Sequence, residues 1–270
     1  MKRTFQILFL TLMACGLVSC GTSTTKDNDP WGQLDPGSVE KQSASMDLSM
    51  HSTAMGRDMT YSVWIPAGYD EKKTYPFLYL LHGYEDSNQN ATWNRCWLDK
   101  GNAAYIADQY VKGGGVPMVI VMPNGLDKFY ISDGYEDYFE NELMAQVEKD
   151  YHCNGKRAIA GLSMGGYGTI YHALKYPQKF TYAYPMSPAA DATWSSLVDK
   201  QSDKSVFPGF TFEVGLQDMT VNNNTTKSLY NSLTKKGLSC EWVERDGGHD
   251  WPFWQACLPK ALVKIGNSFK

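Results

Sequence analysis

The stretch Arg157–Pro177, RAIAGLSMGGYGTIYHALKYP, decides how the rest of the chain is read. Ala158, Ile159, Ala160 and Gly161 lead in, Ser163 stands between Leu162 and Met164, and Gly165, Gly166 and Gly168 follow. Small and apolar residues, then glycines, then a helix-like pattern predict a strand, a sharp turn and a helix with the serine at the bend. Gly161-Leu162-Ser163-Met164-Gly165 matches the G-x-S-x-G nucleophile elbow in the strand–turn–helix context that motif requires. The close approach of strand and helix admits only small neighbours. The helix N-terminus also aims backbone N–H groups where negative charge would develop.

Outward from the elbow, the chain alternates strand-like and helix-like units. YPFLYLLHG (75–83) and VPMVIVMPNG (116–125) are apolar runs closed by turns, as expected of strands buried on both faces. MTYSVWIPAGY (59–69) reads as a strand ending near Pro66. AAYIADQYVKGG (103–114) fits a helix, and YEDYFENELMAQVEKDY (135–151) places apolar residues at 139, 143, 144 and 147 on one helical face. FTYAYPMSP and FPGFTFEVGLQD read as strands, TTKSLYNSLTKKG as a helix and LSCEWVERDGG as the last strand. This order predicts an α/β fold, a mostly parallel central sheet flanked by helices on both faces. In such a sheet chemistry gathers beyond the carboxyl ends of the strands. Gly83, Asn124, Ser163, Asp218 and His249 all fall there.

A serine hydroxyl needs a base. Of His51, His82, His152, His172 and His249, only the last sits in a glycine-flanked loop after the final strand, in GGHDWPFW. That suits the hydrolase order Ser…Asp…His. His82 is placed to orient a loop, and His152 is expected at the surface. The orienting acid is expected at Asp218, 55 residues after Ser163 and 31 before His249 at a strand end. Asp191, Asp199 and Asp203 are rivals in a polar segment, and Asp250 is expected to shape the histidine's loop. Two backbone donors for an oxyanion are expected from Met164 and from Tyr84 in the loop LLHGYEDS, the Tyr84 side chain lining the acyl pocket. No metal or cofactor is called for.

The 270 residues, 43% hydrophobic, suffice for one α/β domain after a leader. Lys2-Arg3, an apolar run and Leu17-Val18-Ser19-Cys20 read as a lipoprotein signal peptide over 1–20, with Cys20 lipidated. Residues 21–41 read as a flexible tether, 42–270 as the catalytic α/β domain, and the location as the periplasm, outer membrane or cell surface. The only membrane contact expected is this anchor. A net charge of -4 with no basic stripe argues against nucleic acid as a partner, and a monomer is expected. Cys96, Cys153, Cys240 and Cys257 admit three full pairings. A bridge between Cys240 and Cys257 would pin the loop of His249. Trp93, Trp97, Trp194, Trp251 and Trp254 lie in polar surroundings and suit either a ring-binding cleft or packing.

YLLHGYEDSNQNATW, IVMPNG, SDGYEDYFENELMAQVEKDY, RAIAGLSMGGYG, VGLQD and GGHDWPFW together resemble the esterase-D-like branch of the α/β-hydrolases. Within it they are most similar to the feruloyl esterase and acetyl xylan esterase modules of secreted bacterial xylanases, over residues 45–266. The resemblance implies Ser163 as nucleophile, Asp218 as acid, His249 as base, and Tyr84 and Met164 at the oxyanion. It also implies that Asp133-Gly134-Tyr135 border the substrate cleft. With Tyr84, Trp251 and Trp254 these complete the expected substrate contacts. The implied reaction is hydrolysis of feruloyl or acetyl esters on plant cell-wall polysaccharides or oligosaccharides. The alternatives are a general short-chain acyl esterase, a non-catalytic surface glycan-binding protein on a hydrolase scaffold, and a peptidase on the same triad.

Overall fold

The computed structural model describes residues 42–85 and 92–270. The expected signal peptide, Cys20 and tether lie outside the described residues.

Two strands open the domain, β1 (Ala44–Ser52) and β2 (Arg57–Ile65), paired antiparallel. In β1 Met46, Leu48 and Met50 pack on the core while Ser45, Asp47, Ser49 and His51 are exposed, the alternation of a half-solvated strand. β3 (Tyr75–Leu81) is buried at every position. The short α1 (Cys96–Asp99) and α2 (Ala103–Lys112) follow, α2 burying Ala103, Ala107 and Tyr110 along one stripe. β4 (Val119–Pro123) is again wholly buried. Next come α3 (Tyr135–Asp137), a π-helical stretch (Tyr138–Leu143) and α4 (Met144–Asp150) in continuous winding. They bury Phe139, Leu143, Met144 and Val147, the face the spacing predicts.

β5 (Cys153–Leu162) and α5 (Met164–Lys175) meet at Ser163. After them come β6 (Tyr182–Met186), a 3-10 segment (Ala192–Lys200), β7 (Gly209–Gly215), α6 (Asn223–Lys235), β8 (Cys240–Arg245) and α7 (Trp251–Ser268). The eight strands form one sheet in the order β1-β2-β4-β3-β5-β6-β7-β8. β1/β2 and β2/β4 are antiparallel, and every other neighbouring pair is parallel. Flanked by its helices, this mixed, mostly parallel sheet is the α/β-hydrolase fold. Phe77, Tyr79, Phe139, Ile159 and Ile170 are fully buried in its core. Each such side chain contributes about 1.5–3 kcal/mol by leaving water, enough to lock the helices to the sheet.

The short α1 and the 3-10 segment fall outside the strands and helices expected from sequence, and so do the longer β1 and α7. β1 places His51 on an exposed face, beside Asp58. α7 buries Phe253, Trp254, Cys257, Leu258, Ala261, Leu262 and Ile265, a helical stripe, and Asp250 caps it by accepting from the Phe253 N–H. The pairing that the sequence left open resolves to none: Cys96, Cys153, Cys240 and Cys257 are all free thiols, so no bridge between Cys240 and Cys257 pins the loop of His249. Cys257 is buried in α7, where its sulfur faces the Arg245 guanidinium at 3.1 Å. Among the described residues no helix is long and apolar enough to cross a membrane.

Candidate active site

Ser163 has φ +52° and ψ −114°, a conformation costly for any side chain with a Cβ. The packing around it enforces the bend. A Cβ on Gly161 would sit 2.5 Å from the Gly165 carbonyl oxygen, and one on Gly165 would sit 2.4 Å from that of Leu81. The elbow glycines thus let α5 press against the ends of β3 and β5. Met164 opens α5, so its N–H has no acceptor within the helix.

His249 Nε2 lies 2.9 Å from Ser163 Oγ, and its Nδ1 lies 2.7 Å from Asp218 Oδ2. With Nδ1–H donating to the carboxylate, Nε2 is left to accept from the serine hydroxyl. The other carboxylate oxygen of Asp218 accepts from the N–H groups of Thr220 and Val221 at 2.9 and 3.3 Å. Its side chain is fully buried, while that of His249 keeps 13% of its surface exposed. The structure therefore brings Ser163, His249 and Asp218 into one relay, from β5/α5, the β8–α7 loop and the β7 exit. Asp191, Asp199 and Asp203 stand apart. Asp191 and Asp203 cap short helical turns, and Asp199 pairs with Lys236.

The loop carrying His249 is tied to the turn carrying Asp218 by Gln217, which the sequence reading missed. Its backbone N–H donates to the Gly247 carbonyl, its side-chain oxygen accepts from the Gly247 N–H, and its amide donates to Asp246. The signal was its place immediately before the acid, at a strand end facing a glycine pair. Below this clamp Glu213, fully buried, accepts from the Tyr184 hydroxyl, Arg245 and Lys260. Burial pushes its carboxyl pKa up. The Tyr184, Lys260 and Arg245 hydrogen bonds outweigh that and hold it below the usual range.

His82 organises the opposite wall. It is fully buried, Nδ1–H donates to the Gly83 carbonyl at 2.6 Å, and Nε2 accepts from the Gly125 N–H at 2.7 Å. Burial lowers its pKa to about 4 against a weaker opposing effect of the Gly83 hydrogen bond, so the ring is neutral. It thereby ties the loop after β3 to the loop after β4. Gly83 packs on the elbow, where a Cβ would lie 3.4 Å from the Ser163 Cβ.

A cavity of about 340 Å³ opens at Ser163, lined by Gly83, Tyr84, Glu85, Leu162, Ser163, His249, Asp250, Trp251 and Trp254. Tyr84 is 56% exposed, and Trp254 stands edge-on to His249 at 4.9 Å. Two expected substrate contacts are corrected. Tyr135 is buried between Tyr130 and Tyr138, its hydroxyl donating to the Asn124 carbonyl. Asp133 is 70% exposed and pairs with Lys128. Neither lines the cavity. Trp93 and Trp97 are likewise packing residues, Trp97 donating to the Leu81 carbonyl. Among the described residues no group of three or more His, Cys, Asp or Glu side chains is placed to hold a metal.

A family model described as “Putative esterase” matches residues 52–265. The acetyl esterase of Caldicellulosiruptor saccharolyticus is 25% identical over 271 residues, covering 81% of this chain and 97% of that protein. The endo-1,4-beta-xylanase/feruloyl esterase of Xylanibacter ruminicola is 27% identical over 236 residues, covering 81% of this chain but 31% of that protein. Among solved structures, a ferulic acid esterase superposes with a TM-score of 0.75 at 26% identity, over 85% of this chain and 100% of the other. The S-formylglutathione hydrolase of Staphylococcus aureus reaches 0.67 at 21% identity, over 84% and 100%, a likeness of fold alone.

Proposed function

The chain belongs to the esterase family, and from that premise we propose that it is a serine esterase cleaving feruloyl or acetyl esters on plant cell-wall polysaccharides or oligosaccharides. Its fold and family are those of a serine-hydrolase-type enzyme. The observation that carries the mechanism is the unbroken relay from Asp218 through His249 to Ser163 at the mouth of the cavity.

In the proposed reaction His249 Nε2 takes the Ser163 proton as Oγ attacks the ester carbonyl. Asp218 holds the Nδ1–H tautomer and stabilises the imidazolium that forms. The N–H groups of Met164 and Tyr84 receive the oxyanion, each donor worth about 3 kcal/mol in the transition state. Protonated His249 gives its proton to the departing alcohol, leaving an acyl-enzyme on Ser163. Water, deprotonated by the same ring, then releases the acid. Tyr84, Trp251 and Trp254 offer an aromatic wall to the acyl group. The xylan-linked acyl esters are favoured by the names of two relatives, the acetyl esterase and the xylanase/feruloyl esterase.

The test compares kcat/KM on methyl ferulate, a feruloylated arabinoxylan oligosaccharide, acetylated xylo-oligosaccharide and a simple aryl acetate, with Ser163→Ala as control. A tenfold preference for a sugar ester, about 1.4 kcal/mol of transition-state binding, is expected. Turnover of the aryl acetate alone would leave a general short-chain esterase. We further propose export as a lipoprotein anchored at Cys20, checked by labelling with radioactive palmitate, which Cys20→Ala should abolish.

A further inference from the structure

A polymer cannot enter a cavity of about 340 Å³. If the acyl group occupies it, the sugar chain must rest on open surface beside Ser163. Such a surface exists along α5. Tyr167 and Tyr171 follow Ser163 at intervals of four residues, so they lie along one helical face leading away from it. The 3-10 segment lays Trp194 against both rings, 4.2 Å from Tyr167 and 5.3 Å from Tyr171 between centroids. Phe129, from the loop after β4, closes the row at 5.2 Å from Tyr167. All four are partly exposed.

This row is built onto the nucleophile. The Tyr167 N–H donates to the Ser163 carbonyl, and so does the Ala189 N–H at the start of the chain that leads to Trp194. Phe129 is held at φ +52° beside Tyr130 at +65°, strain of the kind that persists where a loop is fixed for a ligand. Hydrogen-bonding groups edge the rings. Burial, then the Asp191 carboxylate, raise the Tyr167 hydroxyl pKa, which places that acid within electrostatic reach. The Tyr171 hydroxyl meets Glu136 and Lys175. Aromatic faces edged by carboxylates and an ammonium match a pyranose, whose C–H face is apolar and weakly positive while its rim carries hydroxyls. The negative face of an aromatic ring attracts the first, and the charged groups receive the second.

We propose that Phe129, Tyr167, Tyr171 and Trp194 form a shelf that binds the sugar rings on the alcohol side of the scissile ester. This deepens the esterase reading and rests on it for the position of the ester. Binding itself is testable apart from hydrolysis. Unesterified xylo-oligosaccharide is titrated into the full chain and into Trp194→Ala and Tyr167→Leu, with binding followed calorimetrically. The leucine variant keeps apolar bulk on α5, so it decides the matter if loss of Trp194 unfolds the segment. The wild type is expected to bind and each folded variant to bind at least tenfold more weakly. The ratio of kcat/KM for the feruloylated oligosaccharide over methyl ferulate is expected to fall by the same factor. No binding by the wild type, or equal binding by the folded variants, overturns the shelf whatever the kinetics. Binding lost in the variants without hydrolysis of any sugar ester leaves the shelf standing and removes the esterase assignment instead.

Discussion

Besides the exposed His51, paired with Asp58, two histidines among the described residues hold a carboxylate at Nδ1, and they face different atoms with Nε2. His249 lies 2.7 Å from Asp218 and 2.9 Å from the Ser163 hydroxyl, at the mouth of the cavity. His172, on α5, lies 2.6 Å from Glu140 and 2.9 Å from the Tyr130 carbonyl, with side-chain exposures of 0% for the histidine and 1% for the glutamate. A backbone carbonyl only accepts, so His172 Nε2 is committed as a donor and can take no proton from it. Lys179 bonds the other oxygen of Glu140 and closes the cluster. The same pair of groups is therefore a rivet in one place and a proposed base in the other. What separates them is a reactive hydroxyl and room for a substrate.

The widest separation is in catalysis. Ser163→Ala and His249→Ala are each expected to lower kcat by about 10⁶-fold, and the double variant no further, because the two act as a unit. Asp218→Asn should cost about 10⁴-fold through the wrong tautomer. Steady-state rates on an aryl acetate measure all three. Should His172→Ala, still folded, lose as much, the distinction between the two histidines collapses.

His172→Ala is instead expected to act on stability. It removes one hydrogen bond from the buried Glu140 carboxylate and leaves Lys179 as its partner, a loss of about 1–3 kcal/mol, read as a lowered urea midpoint at pH 7. An unchanged midpoint would mean that α5, the π-helical stretch and the loop after β4 are pinned by something else.

The neutral His82 sharpens the contrast further. Above pH 6.5 both folded and unfolded chains carry it uncharged. As pH falls from 6.5 toward about 4, the unfolded chain binds a proton that the buried ring refuses, and stability drops. Below about 4 both forms bind it and the loss is complete, about 3 kcal/mol at 1.36 kcal/mol per unit. The lowered carboxyl of Glu213 adds a loss in the same direction at lower pH. The ring's own NMR resonances isolate the His82 part. They should report a neutral, Nδ1-protonated ring at pH 5.5, and a charged ring at that pH would refute it.

The elbow was legible because its causes are local: four glycines, a serine and a change of period all lie within a few residues. Asp218 and His249 were legible because they stand at strand ends in a fixed order. β1 escaped although Met46, Leu48 and Met50 alternate, since it runs straight on from the polar stretch read as a tether and its other positions are polar too. α7 escaped because Pro252 and Pro259 read as breakers, yet Pro252 sits in the helix's first turn, where no N–H is missed. Gln217, the partner of His172 and the row at Trp194 depend on contacts between distant segments. Sequence spacing does not encode those.

The loop 133–135 shows where resemblance outran geometry, and it carries the smallest expected effect. Tyr135 is committed to the core by its hydrogen bond to Asn124 and its two tyrosine neighbours, whereas Asp133 is 70% exposed and pairs with Lys128. An exposed ion pair of this kind contributes little. Asp133→Ala is therefore expected to change kcat/KM on methyl ferulate by less than about twofold, since a surface substitution away from the site shifts free energies by about 0.5 kcal/mol or less. A tenfold fall confined to KM would put this loop over the substrate after all. The bound state would then differ from the arrangement in which Tyr84, Trp251 and Trp254 alone supply the aromatic wall.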